Sequence, residues 1–151
     1  MADVMSQEEA ERLISLMKKL LEQDARGLDP GEKHRYPVDS IEENEHFLVQ
    51  INRGRIRESK YNYCAKILSG STVLLELHIN PTKKHQNPDG EIITGNHWHV
   101  YQEGYGIRYA YPAGDIQSND FVSSTLTFLK RFHVVTDSVN VYDQLKLEGT
   151  Q

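Results

Sequence analysis

Near the start of the chain, apolar residues recur at spacings of three and four. Ala10, Leu13, Ile14, Met17, Leu20 and Leu21 fall on one stripe, with Glu11, Lys18, Lys19 and Glu22 outside it. Ser6 and Glu9 stand at capping-box spacing, where hydroxyl and carboxylate each satisfy a free backbone N–H at a helix start. The pattern predicts a helix over 7–25, ended by Gly27 and kept from resuming by Pro30-Gly31.

The period then changes to two. Phe47, Val49 and Ile51 alternate with Leu48 and Gln50, and Tyr61, Tyr63, Ala65 and Ile67 alternate with Asn62, Cys64 and Lys66. Strands are predicted over 46–52, 60–68 and 72–79, separated by the turn residues Asn52-Arg53-Gly54-Arg55 and Ser69-Gly70-Ser71. A polar loop over 80–96 follows, holding Pro81 and the type I turn signal Asn87-Pro88-Asp89-Gly90. It exceeds the usual connection, and long loops in compact domains are often functional. Strands over 97–102 and 107–111 form a hairpin around Glu103-Gly104-Tyr105-Gly106.

Ser118 or Asn119 then caps a helix over 119–133, with Phe121, Val122, Leu126, Leu129 and Phe132 facing the core. Asp120 at its start and Lys130, Arg131 and His133 at its end suit the macrodipole. The stretch 134–151 has only weak apolar signals at Val139, Val141 and Leu145. The expected architecture is a single α+β domain over 1–151. An antiparallel sheet of about five strands carries an N-terminal and a C-terminal helix on one face, leaving the other as the working surface.

Composition narrows the function. The length of 151 residues fits one domain, and 38% hydrophobic with 26% charged residues excludes a disordered tail or repeat array. Seventeen Lys and Arg against 22 Asp and Glu give a net charge of −5, which argues against binding nucleic acid by bulk charge but leaves room for a local basic site. A single cysteine excludes an internal disulfide or a cysteine-ligated zinc module and fits a reducing compartment. No apolar run reaches the ~20 residues that cross a bilayer, and MADVMSQEEAER is acidic where a signal peptide is basic, so a cytoplasmic location without membrane contact is expected.

Four of the seven histidines, His78, His85, His97 and His99, lie between positions 78 and 99. His97 and His99 leave the same face of a predicted strand, with Tyr101 following them and Trp98 and Val100 turned to the core. Glu103, Tyr105, Arg108, Tyr109 and Tyr111 crowd the adjoining hairpin.

Three accounts fit this cluster. Two close imidazoles can divide general base and general acid duties at neutral pH, the 2′-hydroxyl of RNA being a suitable nucleophile. On this account His97 and His99 are acid and base and His85 can replace either. Tyr101 and Glu103 orient the rings, and Arg108, Arg53 and Arg55 bind phosphate. Tyr105 and Tyr109 stack on bases, loop 80–96 gates the site, and no cofactor is needed. Alternatively, His97 and His99 with His85 or His78 bind a transition metal, with water as a further ligand. The plain alternative is a polar strand face beside a turn.

Other features have bland readings. Arg53, Arg55 and Arg57 suit a solvated edge, or otherwise a phosphate contact. Cys64 reads as a small apolar filler, and His34, His46 and His133 as surface or capping residues. Glu42, Glu43 and Glu45 read as a solvated loop.

The string His85-Gln86-Asn87-Pro88-Asp89-Gly90, followed by His97-x-His99-x-Tyr101-x-Glu103-Gly104-Tyr105, resembles a family of small uncharacterised bacterial and phage proteins, a domain of unknown function. The likeness extends from the first helix through Arg53-Gly54-Arg55 to Tyr109-Ala110-Tyr111-Pro112. It carries no catalytic residues with it. It implies a mobile-element setting, where small proteins are often toxins, defence factors or inhibitors of defence. With the histidine patch, the expectation is a toxin-type, metal-independent endoribonuclease whose partners are RNA or a nucleotide. The alternative is a phage-encoded anti-defence protein that blocks a bacterial defence complex or sequesters its nucleotide signal. Net acidity favours the latter, since a protein displacing nucleic acid from a basic cleft should be negative. An antitoxin or a bacterial defence protein is the partner expected of a binding module.

Overall fold

A computed structural model describes residues 5–21, 31–54, 60–70, 72–116 and 121–135. Helix α1, Gln7–Ser15, starts where the capping residues place it, with the Ser6 hydroxyl accepting the Glu9 N–H at 3.1 Å. Ala10 and Leu13 are its buried face. The expectation of a helix over 7–25 is corrected here. Leu16 is already extended at ψ 138°, and Lys18–Leu20 form strand β1; residues 22–25, Gly27 and Pro30 lie outside the described residues.

Lys18 is the reason. In a longer helix the Ile14 carbonyl would accept the Lys18 backbone N–H. Instead it accepts the Lys18 ammonium at 2.8 Å, as do the carbonyls of Leu16 and Phe132, while the Lys18 N–H donates to His133 O at 2.8 Å. A residue expected on the solvent side is thus wholly buried, its Nζ 4.0 Å from the Phe132 ring centroid.

The strands that follow are β2 Lys33–Ser40, β3 His46–Arg53, β4 Tyr61–Ile67, β5 Val73–Ile79, β6 Lys84–Gln86, β7 Ile92–Thr94, β8 His97–Val100 and β9 Ala110–Pro112, and helix α2 is Phe121–Arg131. Among the described residues, one antiparallel sheet of seven strands runs in the order β1-β2-β3-β4-β5-β8-β9, with β6 and β7 forming a separate hairpin. The expected sheet of about five strands is therefore too small. β1 was assigned to a helix, and the buried alternation Tyr36, Val38, Ser40 of β2 is masked in the sequence by Pro37 and its charged neighbours.

The loop over 80–96 contains the β6–β7 hairpin. The strands expected over 97–102 and 107–111 shorten because Gln102 and Gly106 close a tight turn, with Gly104 at φ 87° and Gly106 at φ 63°, values open to glycine. Ser118, Asn119, Asp120 and 136–151 lie outside the described residues. His133, at φ 62°, caps the end of α2 and also bonds Ile14 O through Nδ1.

The two faces of the sheet differ in chemistry. Val49, Ile51, Tyr63, Leu75, Leu77 and Trp98 form one face, and the helices cover it. Phe128 stacks on Trp98 at 6.0 Å and on Tyr63 at 5.3 Å, and Phe132 meets Phe47 edge-on at 5.4 Å. Burial of each such side chain stabilises the fold by roughly 1.5–3 kcal/mol. On the opposite face, cross-strand neighbours form two polar rows, Gln50-Cys64-Glu76-His99 and Asn52-Asn62-His78-His97.

Candidate functional site

The register brings His78 opposite His97, and Glu76 opposite His99. Ring centroids of His78 lie 5.0 Å from His97 and 4.9 Å from His99, and those two are 5.0 Å apart. His85 joins from the hairpin, 4.9 Å from His99 and 5.8 Å from His97. All four clustered histidines of the sequence therefore share one spot. His97 is 0% exposed and His99 5%, while His78 and His85 are half-buried. The two β8 histidines lie beneath a covered site rather than on an open face.

Hydrogen bonds set each ring's tautomer. A backbone carbonyl can only accept, so His97 Nδ1 is the N–H that donates to Gly95 O at 2.7 Å, and His99 Nδ1 donates to Ile107 O at 2.6 Å. His78 donates through Nε2 to the Glu76 carboxylate at 2.9 Å, and His85 through Nε2 to Arg108 O at 2.9 Å. The lone pairs left over belong to Nδ1 of His78 and Nε2 of His97 and His99. Among the described residues, His78 Nδ1 and His97 Nε2 are buried and have no hydrogen-bond partner.

One nitrogen from each of His78, His97 and His99 lies within 4.8 Å of the others. Two nitrogens bound tetrahedrally to zinc at about 2.1 Å lie about 3.4 Å apart, so ligation would require the three rings to close inward.

Burial favours the neutral form of His97 and His99. Burial depresses the pKa of His97, with help from neighbouring His78 and His85 and against the Gly95 carbonyl. Burial likewise takes His99 down to about 4, with His78 adding to the effect. Burial opposes ionisation of Glu76, yet hydrogen bonding and attraction to His78 outweigh it and hold the carboxyl below its ordinary range. Cys64 also bonds Glu76, and burial pushes its thiol up to about 12, so it is no nucleophile at neutral pH. It is a polar neighbour of Glu76 rather than an apolar filler.

The Asn-Pro-Asp-Gly signal places His85. Gly90, at φ 95°, closes the turn, with its N–H on Asn87 O at 2.8 Å. The buried Asn87 side chain bonds both backbone groups of Ala110 and so fastens the hairpin to β9 above the histidines.

Tyr101 and Glu103 were expected to orient the rings, and the structure places them elsewhere. The strand ends at Val100, so the alternation that would keep Tyr101 beside His99 ends too. The Tyr101 hydroxyl donates to Met5 O at 2.8 Å, and Glu103 accepts the Gln7 N–H at 2.8 Å, so both hold the start of α1. Arg108 is exposed, its guanidinium 5.6 Å from the Tyr105 ring, and Tyr105 meets Tyr109 edge-on at 5.0 Å. Arg53 packs its guanidinium 4.9 Å over Phe121 at the sheet end. Arg55 and Arg57 lie outside the described residues.

The sequence alone does not set the facing of His78, and it gives Glu76 and Asn87 no place in the site. Period two alone places Glu76 and His78 on one face, but only the register sets them against His97 and His99. Among the described residues no helix is long and apolar enough to cross a membrane.

Fold and site together define an α+β sheet protein with a histidine centre on the face its helices leave uncovered. The model of a family described as "Family of unknown function (DUF6978)" matches residues 5–134, and the chain belongs to that family. The matched span includes the whole string from His85 to Tyr105. No curated protein and no solved structure matches the chain.

Proposed function

We propose that His78, His97 and His99 hold a divalent transition metal, zinc being the best match to three neutral imidazoles, and that the protein hydrolyses phosphodiesters there. One observation carries this reading: each ring's N–H is tied outward, to Glu76, Gly95 or Ile107, leaving its lone pair for the centre. Such outer partners are the usual means of fixing a metal-binding histidine's tautomer. Three protein ligands leave a coordination position for water or substrate. A metal there supplies Lewis acidity to a phosphoryl oxygen and lowers the pKa of water to about 7.

His85 is the remaining histidine and sits on the water-facing side. With Nε2–H on Arg108 O, its Nδ1 is the basic nitrogen. In hydrolysis the water oxygen forms a bond to phosphorus and the ester P–O bond breaks. The water proton passes to His85 and then to the leaving oxygen. The metal-free division of acid and base between His97 and His99 is less well supported. Both rings are buried with lowered pKa values, which works against the protonated form a general acid needs.

Incubation of purified protein with single-stranded RNA, before and after chelation and zinc re-addition, tests the assignment. Cleavage that is lost, restored and strongly reduced by His85→Ala supports it. Cleavage indifferent to chelator, or none by zinc-loaded protein, overturns it.

A further inference from the structure

A second feature adjoins the histidines. The ends of β3, β4 and β5 form a cleft of about 240 Å³ whose lining includes Arg53, Lys60, Lys83, Asn52, Asn62 and Asn80. On a chain of net charge −5 the described lining holds three cationic residues and three amides. Lys60, Asn62 and Lys83 are exposed. The cleft is next to the histidines: Asn62 is the cross-strand partner of His78, one strand spacing of about 4.8 Å away, and Ile79 and Asn80 directly continue from His78. The Lys83 carbonyl accepts the Gly95 N–H at 2.8 Å, beside the carbonyl that holds His97.

On the hairpin side, His85 bonds the backbone of Arg108, whose side chain lies against the Tyr105 and Tyr109 pair. Tyr105 is 41% exposed, an aromatic face available for stacking.

We infer that this cleft is the phosphate subsite of a single-stranded RNA, which seats one backbone phosphate on Lys60, Lys83 and the amides while the adjoining diester meets the histidines. Ammonium groups and amide N–H groups are the donors that phosphate oxygens take, and clustered ammonium groups repel cations rather than gathering them. A single strand is the form whose bases can turn onto the Tyr105 and Tyr109 rings, and whose backbone can enter a recessed site between the hairpin and the strand ends. The inference rests on the phosphodiester reading above, but requires no metal for binding.

Fluorescence anisotropy with a short, labelled single-stranded RNA, read on metal-stripped protein so that hydrolysis does not intervene, tests it over a salt series. The Lys60→Glu/Lys83→Glu variant is compared with Lys19→Glu/Lys130→Glu, which makes the same charge change at exposed positions elsewhere. The cleft variant is expected to lose at least about tenfold in affinity, and its salt slope to fall by about 0.7 per lysine removed, whereas the control moves far less. Equal losses in the two variants, or no binding by the wild type, overturn the inference. Chelator-stripped wild type separates the two assignments. RNA binding that needs Lys60 and Lys83 but no metal upholds the cleft even if the metal reading fails. A zinc-loaded, RNA-cleaving protein indifferent to the lysine changes overturns the cleft alone.

Discussion

The side-chain amide of Asn87 pairs with the backbone of Ala110 as a strand residue would. Its Nδ2 donates to Ala110 O at 3.0 Å, and its Oδ1 accepts the Ala110 N–H at 2.7 Å. Ala110 is itself the β9 partner of His99, so one asparagine joins the hairpin bearing His85 to the strand pair bearing His97 and His99. The Asn-Pro-Asp-Gly string is therefore a positioning device as well as a turn.

Asn87→Ala leaves two buried backbone groups without partners, and the expected cost is about 2–4 kcal/mol in urea denaturation. Metal content should not change, because the three ligands stand on β5 and β8. Unchanged stability would remove the clamp from the account.

Glu76 accepts the His78 N–H and fixes the tautomer that offers Nδ1. Glu76→Gln keeps an acceptor but loses the charge, and zinc affinity should fall about tenfold to a hundredfold in competition with a chromophoric chelator. Equal affinity in the variant would show that the carboxylate is not an outer partner of a bound ion.

Tyr101→Phe tests the division between scaffold and site. Loss of the bond to Met5 O should cost about 1 kcal/mol of stability, with zinc content and RNA affinity unchanged. A loss of zinc in this variant would put Tyr101 back among the residues that orient the rings.

Burial pulls the Lys18 pKa from 10.5 down to about 7, although three carbonyls and the Phe132 face favour its ammonium. An unfolded chain keeps this proton to about pH 10.4. Between pH 7 and that point the folded state binds fewer protons than the unfolded one, so this group makes stability rise with pH. Below about 7 its contribution is flat and at its lowest. Each pH unit by which the folded pKa lies below the unfolded one is worth about 1.4 kcal/mol. The stability difference between wild type and Lys18→Met should therefore widen from pH 7 to 9.5 in the wild type's favour. A constant difference would contradict the depressed pKa.

The parts of the fold legible in the sequence are those where period two reports a face directly. Phe47, Val49 and Ile51 name β3, Tyr63 and Ala65 name β4, and His97 with His99 does leave one face of β8. Lys18 was misplaced because its four-carbon stem lets an ammonium reach three carbonyls from inside the fold, which helical spacing does not reveal. Tyr101 was misplaced because alternation holds only while the strand lasts. The recruitment of His78 depends on the pairing of β5 with β8 across the β6–β7 hairpin, a long-range register that local pattern does not encode.

The metal-to-protein ratio tests the central claim most directly. Elemental analysis after zinc loading and dialysis should find about one equivalent in the wild type and in His85→Ala. It should find little in His78→Ala, His97→Ala or His99→Ala, with circular dichroism confirming that each variant is folded. A folded wild type that emerges from zinc dialysis without metal, and whose Tm zinc does not raise, would contradict the account.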